Sequence, residues 1–336
     1  MEDILITGAN GEIGHSLIPK LISSKKDKII TLDTQTLDTA LKKYVDKEIS
    51  GNILDTTLLE KIFSQNKVST VFHLAAILSS GAEKNPELAQ KVNAQGTAGL
   101  LEVANTFARK IKRAVKFIFP STIAVYGIPN VEIKNKIDPV KENEYLNPIT
   151  IYGINKLYCE QLGIYYSRNY RMLDQDSKIS YLDFRCLRFP GIISAITLPS
   201  GGTSDYAPQM IHSAARGEAY EAFVRKDTKI PFMVMPDCIK AILTITDSPR
   251  ERLKTYVYNV TSFTATAFFI ENLVKEVFPK TSVTYKPDAL RQRIVDSWPA
   301  SIDDSRARTD WEWSPDFDIE KSFKDYLFPE VSRRYS

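Results

Sequence analysis

Tyr152-Gly153-Ile154-Asn155-Lys156 sets a phenol and an ammonium four residues apart, which on a helix is one turn along one face. A phenol at its reference pKa of about 10 is a poor base near neutrality. Bringing it into range requires roughly 3–4 kcal/mol of preferential anion stabilisation, and a lysine at i+4 can supply part of that. With 16 tyrosines in the chain, roughly one such pair is expected by chance, so its position decides the matter. It follows an apolar run, residues 115–119, that leads into Pro120-Ser121-Thr122. In an open α/β sheet, ligands bind beyond the carboxyl ends of the strands. A hydroxyl at Thr122 can hold an oxygen whose proton Tyr152 removes, with Lys156 keeping the phenolate charged. A loop hydroxyl can equally serve only its neighbouring backbone.

Those residues need a sheet behind them, and the start of the chain supplies one. Ile4-Leu5-Ile6 reads as a buried strand and runs into Gly8-Ala9-Asn10-Gly11-Glu12-Ile13-Gly14. Gly8 permits a tight turn, Gly11 lets backbone approach a pyrophosphate, and Gly14 lets the next helix pack against the sheet. A second strand, Lys28-Ile29-Ile30-Thr31-Leu32, ends on Asp33, at about the interval expected for an acid that holds a ribose diol. Strand, glycine turn, helix, strand and acid together specify a dinucleotide. Asp33 would repel a 2′-phosphate, and Thr34 and Gln35 offer no compensating arginine, so NAD is expected over NADP. A nicotinamide ring adds its positive charge to that of Lys156 in lowering the Tyr152 phenol, and the same lysine can hold the nicotinamide ribose.

Strand-like runs at 4–7, 29–33, 70–74, 115–119 and 181–187 alternate with helical or loop segments. That rhythm predicts an α/β fold: a Rossmann doubly wound parallel sheet. Helices are expected from near Pro86 and near Tyr152. From Pro190 onward the rhythm breaks, punctuated by Gly201-Gly202, Pro208, Pro231 and Pro236. The expected organisation is an NAD-binding domain over about 1–189, and a smaller C-terminal substrate-binding lobe over 190–336 with some segments returning to the sheet. The polar stretch 171–178 reads as a surface insertion.

The bulk numbers exclude several classes. In 336 residues the chain has 43% hydrophobic and 25% charged residues with a net charge of +3, a globular composition with no case for nucleic acid or membrane. The basic run Arg109-Lys110-Ile111-Lys112-Arg113 suits a solvated helix end. Cys159, Cys186 and Cys238 are widely spaced, and only three histidines are present. Neither a disulfide framework nor a metal site is supported. Asp296, Asp303 and Asp304 read as caps and turns. The first strand starts so close to Met1 that no targeting segment is expected. That points to the cytoplasm, or to the mitochondrial matrix if a transit peptide has been removed.

The glycine motif, His73-Leu74-Ala75-Ala76, Val92-Asn93-Ala94-Gln95-Gly96-Thr97, Ser121-Thr122 with Tyr126-Gly127, and the Tyr152/Lys156 pair resemble the extended short-chain dehydrogenase/reductase superfamily. The second half is more specific. Leu187-Arg188-Phe189-Pro190-Gly191-Ile192-Ile193-Ser194, Gly201-Gly202-Thr203-Ser204-Asp205-Tyr206-Ala207, 230–237 and 296–305 resemble the L-threonine 3-dehydrogenase family. One departure is Asn52, which stands where that family usually carries an aspartate near the adenine.

The resemblance implies NAD-dependent oxidation of the L-threonine β-hydroxyl to 2-amino-3-ketobutyrate, a step of threonine catabolism. It implies catalytic roles for Thr122, Tyr152 and Lys156. Toward the cofactor it implies Gly8, Asn10, Gly11, Glu12, Ile13, Gly14, Asp33, Asn52 and Ile53. Further along come Leu74, Ala75, Ala76, Asn93, Ser121, Pro190 and Ile192, with Tyr152 and Lys156 again. Toward the amino acid it implies Ser79, Ser80, Gly191, Thr203, Ser204 and Asp205, the last opposing the ammonium, although Asp205 could instead serve as a helix N-terminal acid. A homodimer through the helices of Pro86 and Tyr152 is implied, as is coupling to a 2-amino-3-ketobutyrate CoA ligase. Two other readings stand beside it. One is a UDP-sugar 4-epimerase or another enzyme of the superfamily, against which Ile230-Pro231 offers no arginine for a diphosphate. The other is a non-catalytic NAD-binding sensor, a class that often lacks the tyrosine or lysine retained here.

Overall fold

The structure, a computed structural model, describes residues 2–22, 27–174, 180–199 and 202–335. Among the described residues, twelve strands form three sheets. In chain order they are β1 (Asp3–Thr7), β2 (Lys28–Asp33), β3 (Lys47–Ser50), β4 (Val68–His73), β5 (Val115–Thr122), β6 (Leu182–Phe189), β7 (Gly191–Ile193), β8 (Tyr220–Ala222), β9 (Lys229–Val234), β10 (Val257–Asn259), β11 (Phe263–Thr266) and β12 (Val283–Tyr285). The main sheet has the order β10-β6-β5-β4-β1-β2-β3, and every pairing from β3 to β5 is parallel. The order reverses between β1 and β4, so the carboxyl ends of these two strands flank the crevice where doubly wound sheets take their ligands. This is the Rossmann architecture that the alternating rhythm predicts.

The chain divides into two compact units. The first comprises Met1–Ser121, Ile154–Leu187 and Ile242–Val257; the second comprises Thr122–Gly153, Arg188–Ala241 and Tyr258–Ser336. In the first unit, Leu5, Ile30, Val71, Phe117, Phe119, Phe184 and Cys186 from the strands pack with Leu100, Leu101 and Ala104 from a covering helix. Strands buried on both faces read as continuous apolar runs, which is why β1, β2 and β5 are plain in the sequence. β3 is an edge strand whose Lys47, Glu48 and Ser50 are exposed, and it carries no such run. The helix expected from Pro86 is three pieces: Pro86–Ala89, a π-helical turn over Gln90–Gly96, and the helix Thr97–Ile111. In the second unit, β7, β9 and β11 form a small sheet, with β7 parallel and β11 antiparallel to β9. Phe232 of β9 stacks on Phe263 of β11 (6.0 Å between centroids) and meets Tyr206 edge-on. The expected insertion is described only as far as Asp174; residues 175–178 lie outside the described residues.

Candidate active site

The glycine turn closes on its neighbours by contact. Gly8 has φ +70°, and a β-carbon there would lie 2.5 Å from the Ala75 nitrogen, so Ala75 crosses directly over the turn. At Gly14 a β-carbon would lie 2.1 Å from the Ala9 carbonyl oxygen, whereas Gly11 is exposed and meets only the Gly8 carbonyl at 3.2 Å. The helix Glu12–Leu21 therefore starts from Gly11, and no side chain caps it. Its first-turn N–H groups are the donors that a pyrophosphate takes. Among the described residues nothing in this cradle obstructs such a group, and the residues present fit a dinucleotide.

Around this turn most of the expected cofactor residues brace backbone. Asp33 accepts from the Asn10 N–H (3.0 Å) and the Gln35 N–H (3.1 Å), one on each carboxylate oxygen. Each oxygen keeps a second lone pair for a ribose hydroxyl. The Asn10 amide accepts from the Asp38 N–H and donates to the Thr36 carbonyl, fixing the loop after β2. Leu74, Ala75 and Ala76 are partly exposed at the end of β4. Asn93 uses both ends of its amide on Ile77, accepting from its N–H (2.7 Å) and donating to its carbonyl (2.9 Å). It shapes the segment after Ala76 by its side chain. Asn52 is exposed and turns its side-chain oxygen onto the Leu54 N–H. Ile53 is buried, and a β-carbon at Gly96 would meet it at 2.8 Å.

Thr122 ends β5, and its hydroxyl accepts from the Ala124 N–H (3.1 Å), capping the short 3₁₀ turn Ile123–Val125. The local backbone contact that sequence alone allows is therefore real, and it leaves the hydroxyl proton available to donate. A buried network holds the far end of that turn. The Tyr126 hydroxyl donates to Asn259 (2.7 Å), and Arg188 donates to the Tyr126 oxygen (3.0 Å) and to the Glu142 carbonyl (2.6 Å). The helix Ile151–Ile164 carries Tyr152 and Lys156. Its first turn lies against the Thr122 turn: a β-carbon on Gly153 would come within 2.0 Å of the Ala124 oxygen.

Burial acts on the protonation of both Tyr152 and Lys156. Tyr152 is half-buried, and burial pushes its phenol above the ordinary tyrosine range. The sequence expectation that the lysine one turn away lowers this phenol is not what dominates here; the loss of water does. Lys156 is buried, donates to the Pro120 carbonyl (2.7 Å) and lies 4.4 Å above the Phe119 ring. Burial lowers its ammonium to about 8. Ser121 donates to Glu160, which is fully buried.

Residues assigned no role in the sequence complete the frame. Glu160 repeats the i+4 step from Lys156, so helical spacing could have found it. His73 is buried between Thr7 (2.7 Å) and Thr97 (2.8 Å). The Thr97 hydroxyl donates in turn to the Asn93 carbonyl (2.6 Å). Since Thr97 spends its proton there, His73 donates to Thr97 from Nε2 and accepts from Thr7 at Nδ1. Burial takes this imidazole down to about 3.

The candidate substrate residues fall in two places. Ser79 and Ser80 open the helix Ser79–Lys84, the first buried and the second half-buried. In the second unit, Pro190 leads into β7, where Gly191 pairs in register with Phe232 and Ile192 with Met233. A β-carbon at Gly191 would lie 2.8 Å from the Phe232 ring and 3.3 Å from the Ser204 side chain, so Gly191 and Ser204 are neighbours. Thr203 is buried. Asp205 occupies the N-cap position of the helix Tyr206–Ala215, yet its side chain does not cap that helix. It folds back to accept from the Gly202 N–H (2.6 Å). Gly201 lies outside the described residues.

With this geometry in view, known proteins offer close parallels. A family model described as NAD dependent epimerase/dehydratase family matches residues 4–261. A Bos taurus protein named L-threonine 3-dehydrogenase, mitochondrial, is 37% identical over 325 residues, spanning 94% of this chain and 79% of the relative. A solved structure described as a monomeric L-threonine 3-dehydrogenase from a metagenome database, in apo form, has TM-score 0.85 at 36% identity. The match covers 99% of this chain and 100% of that one. The L-threonine dehydrogenase of Phytophthora infestans has TM-score 0.85 at 33% identity, again over 99% and 100% of the two chains. The glycine cradle, the paired tyrosine and lysine and this similarity along nearly the whole length agree: the chain belongs to the NAD dependent epimerase/dehydratase family.

Proposed function

We propose that the protein is an NAD-dependent L-threonine 3-dehydrogenase, converting the β-hydroxyl of L-threonine to the ketone of 2-amino-3-ketobutyrate. The observation that carries the chemistry is the contact of Gly153 with Ala124, which ties the first turn of the Tyr152 helix to the turn begun by Thr122. Full-length similarity to proteins named L-threonine dehydrogenase supports the choice of substrate. Gly8, Gly11, Gly14 and the helix behind them would hold the pyrophosphate, Asp33 the adenosine ribose, and Lys156 the nicotinamide ribose. When bound, NAD supplies the hydride acceptor.

Tyr152 takes the proton of the β-hydroxyl as the Cβ–H bond gives up its electron pair. Thr122 donates to the same oxygen as it becomes a carbonyl, and the charge on Lys156 favours the phenolate. Asp205 opposes the substrate ammonium, while Ser79, Ser80, Thr203 and Ser204 supply hydroxyls to its carboxylate. The enzyme acts in the cytoplasm or in the mitochondrial matrix. It hands its product to a CoA-dependent ligase. It works as a homodimer through Leu88, Ile154 and Tyr158, which are exposed apolar residues on the two implicated helices; sedimentation velocity at micromolar concentration tests this.

The test of function is NADH formation by purified protein with L-threonine, L-allo-threonine and L-serine, beside direct measurement of UDP-glucose and UDP-galactose interconversion. L-Threonine is oxidised well, L-allo-threonine poorly because its hydroxyl and hydrogen exchange places, and L-serine weakly for want of the methyl group. Turnover of a UDP-sugar without threonine-dependent NADH overturns the reading in favour of an epimerase.

A further inference from the structure

The helix Phe328–Tyr335 is anchored by Phe328 and Val331, both buried. Its last two described residues bond segments that lie on either side of Thr203-Ser204-Asp205 in the chain. Arg334 donates to the Ile196 carbonyl (2.9 Å), on the side of β7. Tyr335 meets His212 (2.9 Å), within the helix whose N-cap position is Asp205. Just upstream, the Tyr326 oxygen accepts from the Ala195 N–H (3.3 Å), and the Ser194 hydroxyl bonds the same phenol. Ser194 in turn accepts from the Ile196 and Thr197 N–H groups.

Tyr335 is held from two further sides. Arg216 donates to the Tyr335 oxygen (3.2 Å) and lies 5.4 Å from its ring centroid. His212 Nδ1 and the Tyr335 hydroxyl share a second hydrogen bond (2.9 Å). Burial, with Arg334 and Arg216 nearby, lowers His212 to about 4, so the imidazole is neutral and able to accept. Its Nε2 is buried and has no partner among the described residues.

Consecutive residues on one rigid helix thus fix the separation between Ile196 and His212, the two ends that bracket the proposed amino-acid residues. We propose that Tyr326, Arg334 and Tyr335 are positioning residues for substrate recognition: they hold Thr203, Ser204 and Asp205 at the spacing that an amino-acid head group requires. None of them touches the reacting atoms. This inference rests on the proposed function, because it is the threonine site that they would position.

The test is steady-state kinetics of Arg334→Ala, Tyr335→Phe and Tyr326→Phe, varying threonine and NAD separately. Lost positioning raises KM for threonine at least about three-fold, with kcat and KM for NAD within about two-fold of wild type. Arg334→Lys, which keeps the charge and stem, falls between wild type and Arg334→Ala. Melting points that fall while KM for threonine stays at the wild-type value overturn the proposal and leave these contacts as packing. Arg334 is exposed, so its two variants decide the case even if Tyr326→Phe does not fold. Wild-type protein without threonine oxidation refutes the functional reading instead, which separates the two failures.

Discussion

The backbone of Gly153 faces the carbonyl oxygen of Ala124 so closely that a β-carbon would lie 2.0 Å from it. No side-chain rotation relieves such a clash, since the opposing atom is main chain. The missing side chain is what lets the helix of Tyr152 approach the turn of Thr122 this closely. Gly153→Ala must move the helix start or the turn, at a cost of about 1–3 kcal/mol in stability. Because the misplaced group is the proton acceptor, kcat for threonine oxidation should fall by about ten-fold or more. NAD affinity should change little. Equilibrium unfolding together with NAD titration separates these effects, and an alanine variant with wild-type kcat would refute the positioning role.

Tyr152→Phe removes only the proton acceptor, so turnover should fall by about 10²–10⁴ with NAD affinity near wild type. Lys156→Met should damage both, because its ammonium serves the phenolate and the ribose. The two pKa directions set the pH profile. Burial raises the Tyr152 phenol, so the fraction ionised grows as pH rises. Burial lowers the Lys156 ammonium to about 8, so its charge is lost as pH climbs further. The expected profile of kcat/KM rises from pH 6 and levels off near pH 8, where the gain in phenolate is cancelled by the loss of ammonium. A flat profile from pH 6 to 10, measured where chemistry limits the rate, would count against both assignments.

Both Asp33 oxygens are aimed by backbone donors, the N–H groups of Asn10 and Gln35. A carboxylate held this firmly cannot swing away from a 2′-phosphate, so the preference for NAD should be strong, with kcat/KM for NADP lower by about 10²-fold. Replacing Asp33 by Gly should weaken NAD and narrow that ratio. Comparable efficiency with the two cofactors in wild-type protein would show that Asp33 does not read the ribose.

His73 makes a prediction about acid stability. Its folded pKa, about 3, lies below the ordinary 6.5. Between those values the unfolded chain binds a proton that the folded protein refuses. Stability from this group is therefore complete above pH 6.5 and lost as pH falls toward 3, at about 1.4 kcal/mol per pH unit. Denaturant unfolding of wild type and His73→Gln between pH 6.5 and 5 should differ in slope by about one proton, whatever their absolute stabilities. Equal slopes would mean that the imidazole titrates normally.

Much of this arrangement is legible in the sequence because it is local. The strand ending in Gly8-Ala9-Asn10-Gly11, the acid after β2 and the i+4 pair on one helix are each set by a few adjacent residues. β3 escapes notice because an exposed edge strand needs no apolar run. The π-helical turn around Asn93 escapes because its register depends on the amide bonding Ile77, sixteen residues earlier. Spacing shows that a lysine lies one turn from Tyr152, but not how much water the fold removes from the phenol. The direction of the Asp205 side chain is likewise set by the Gly202 N–H, which no residue type announces.

The make-up of the first compact unit has a consequence for biosynthesis. Its segments end at Ser121, resume at Ile154, and resume again at Ile242–Val257. On a ribosome, the nucleotide-binding half therefore cannot close as soon as its glycine turn emerges, because part of its framework has yet to be translated. Domains that are contiguous in sequence fold in order of synthesis; here the amino-terminal strands must wait, with the flank of β6 uncovered, until the chain has passed residue 257. A release factor or protease acting before that point would leave a fragment with the whole glycine motif and an unfinished sheet. Nascent-chain length, more than the sequence of the motif, should set when NAD binding first becomes measurable.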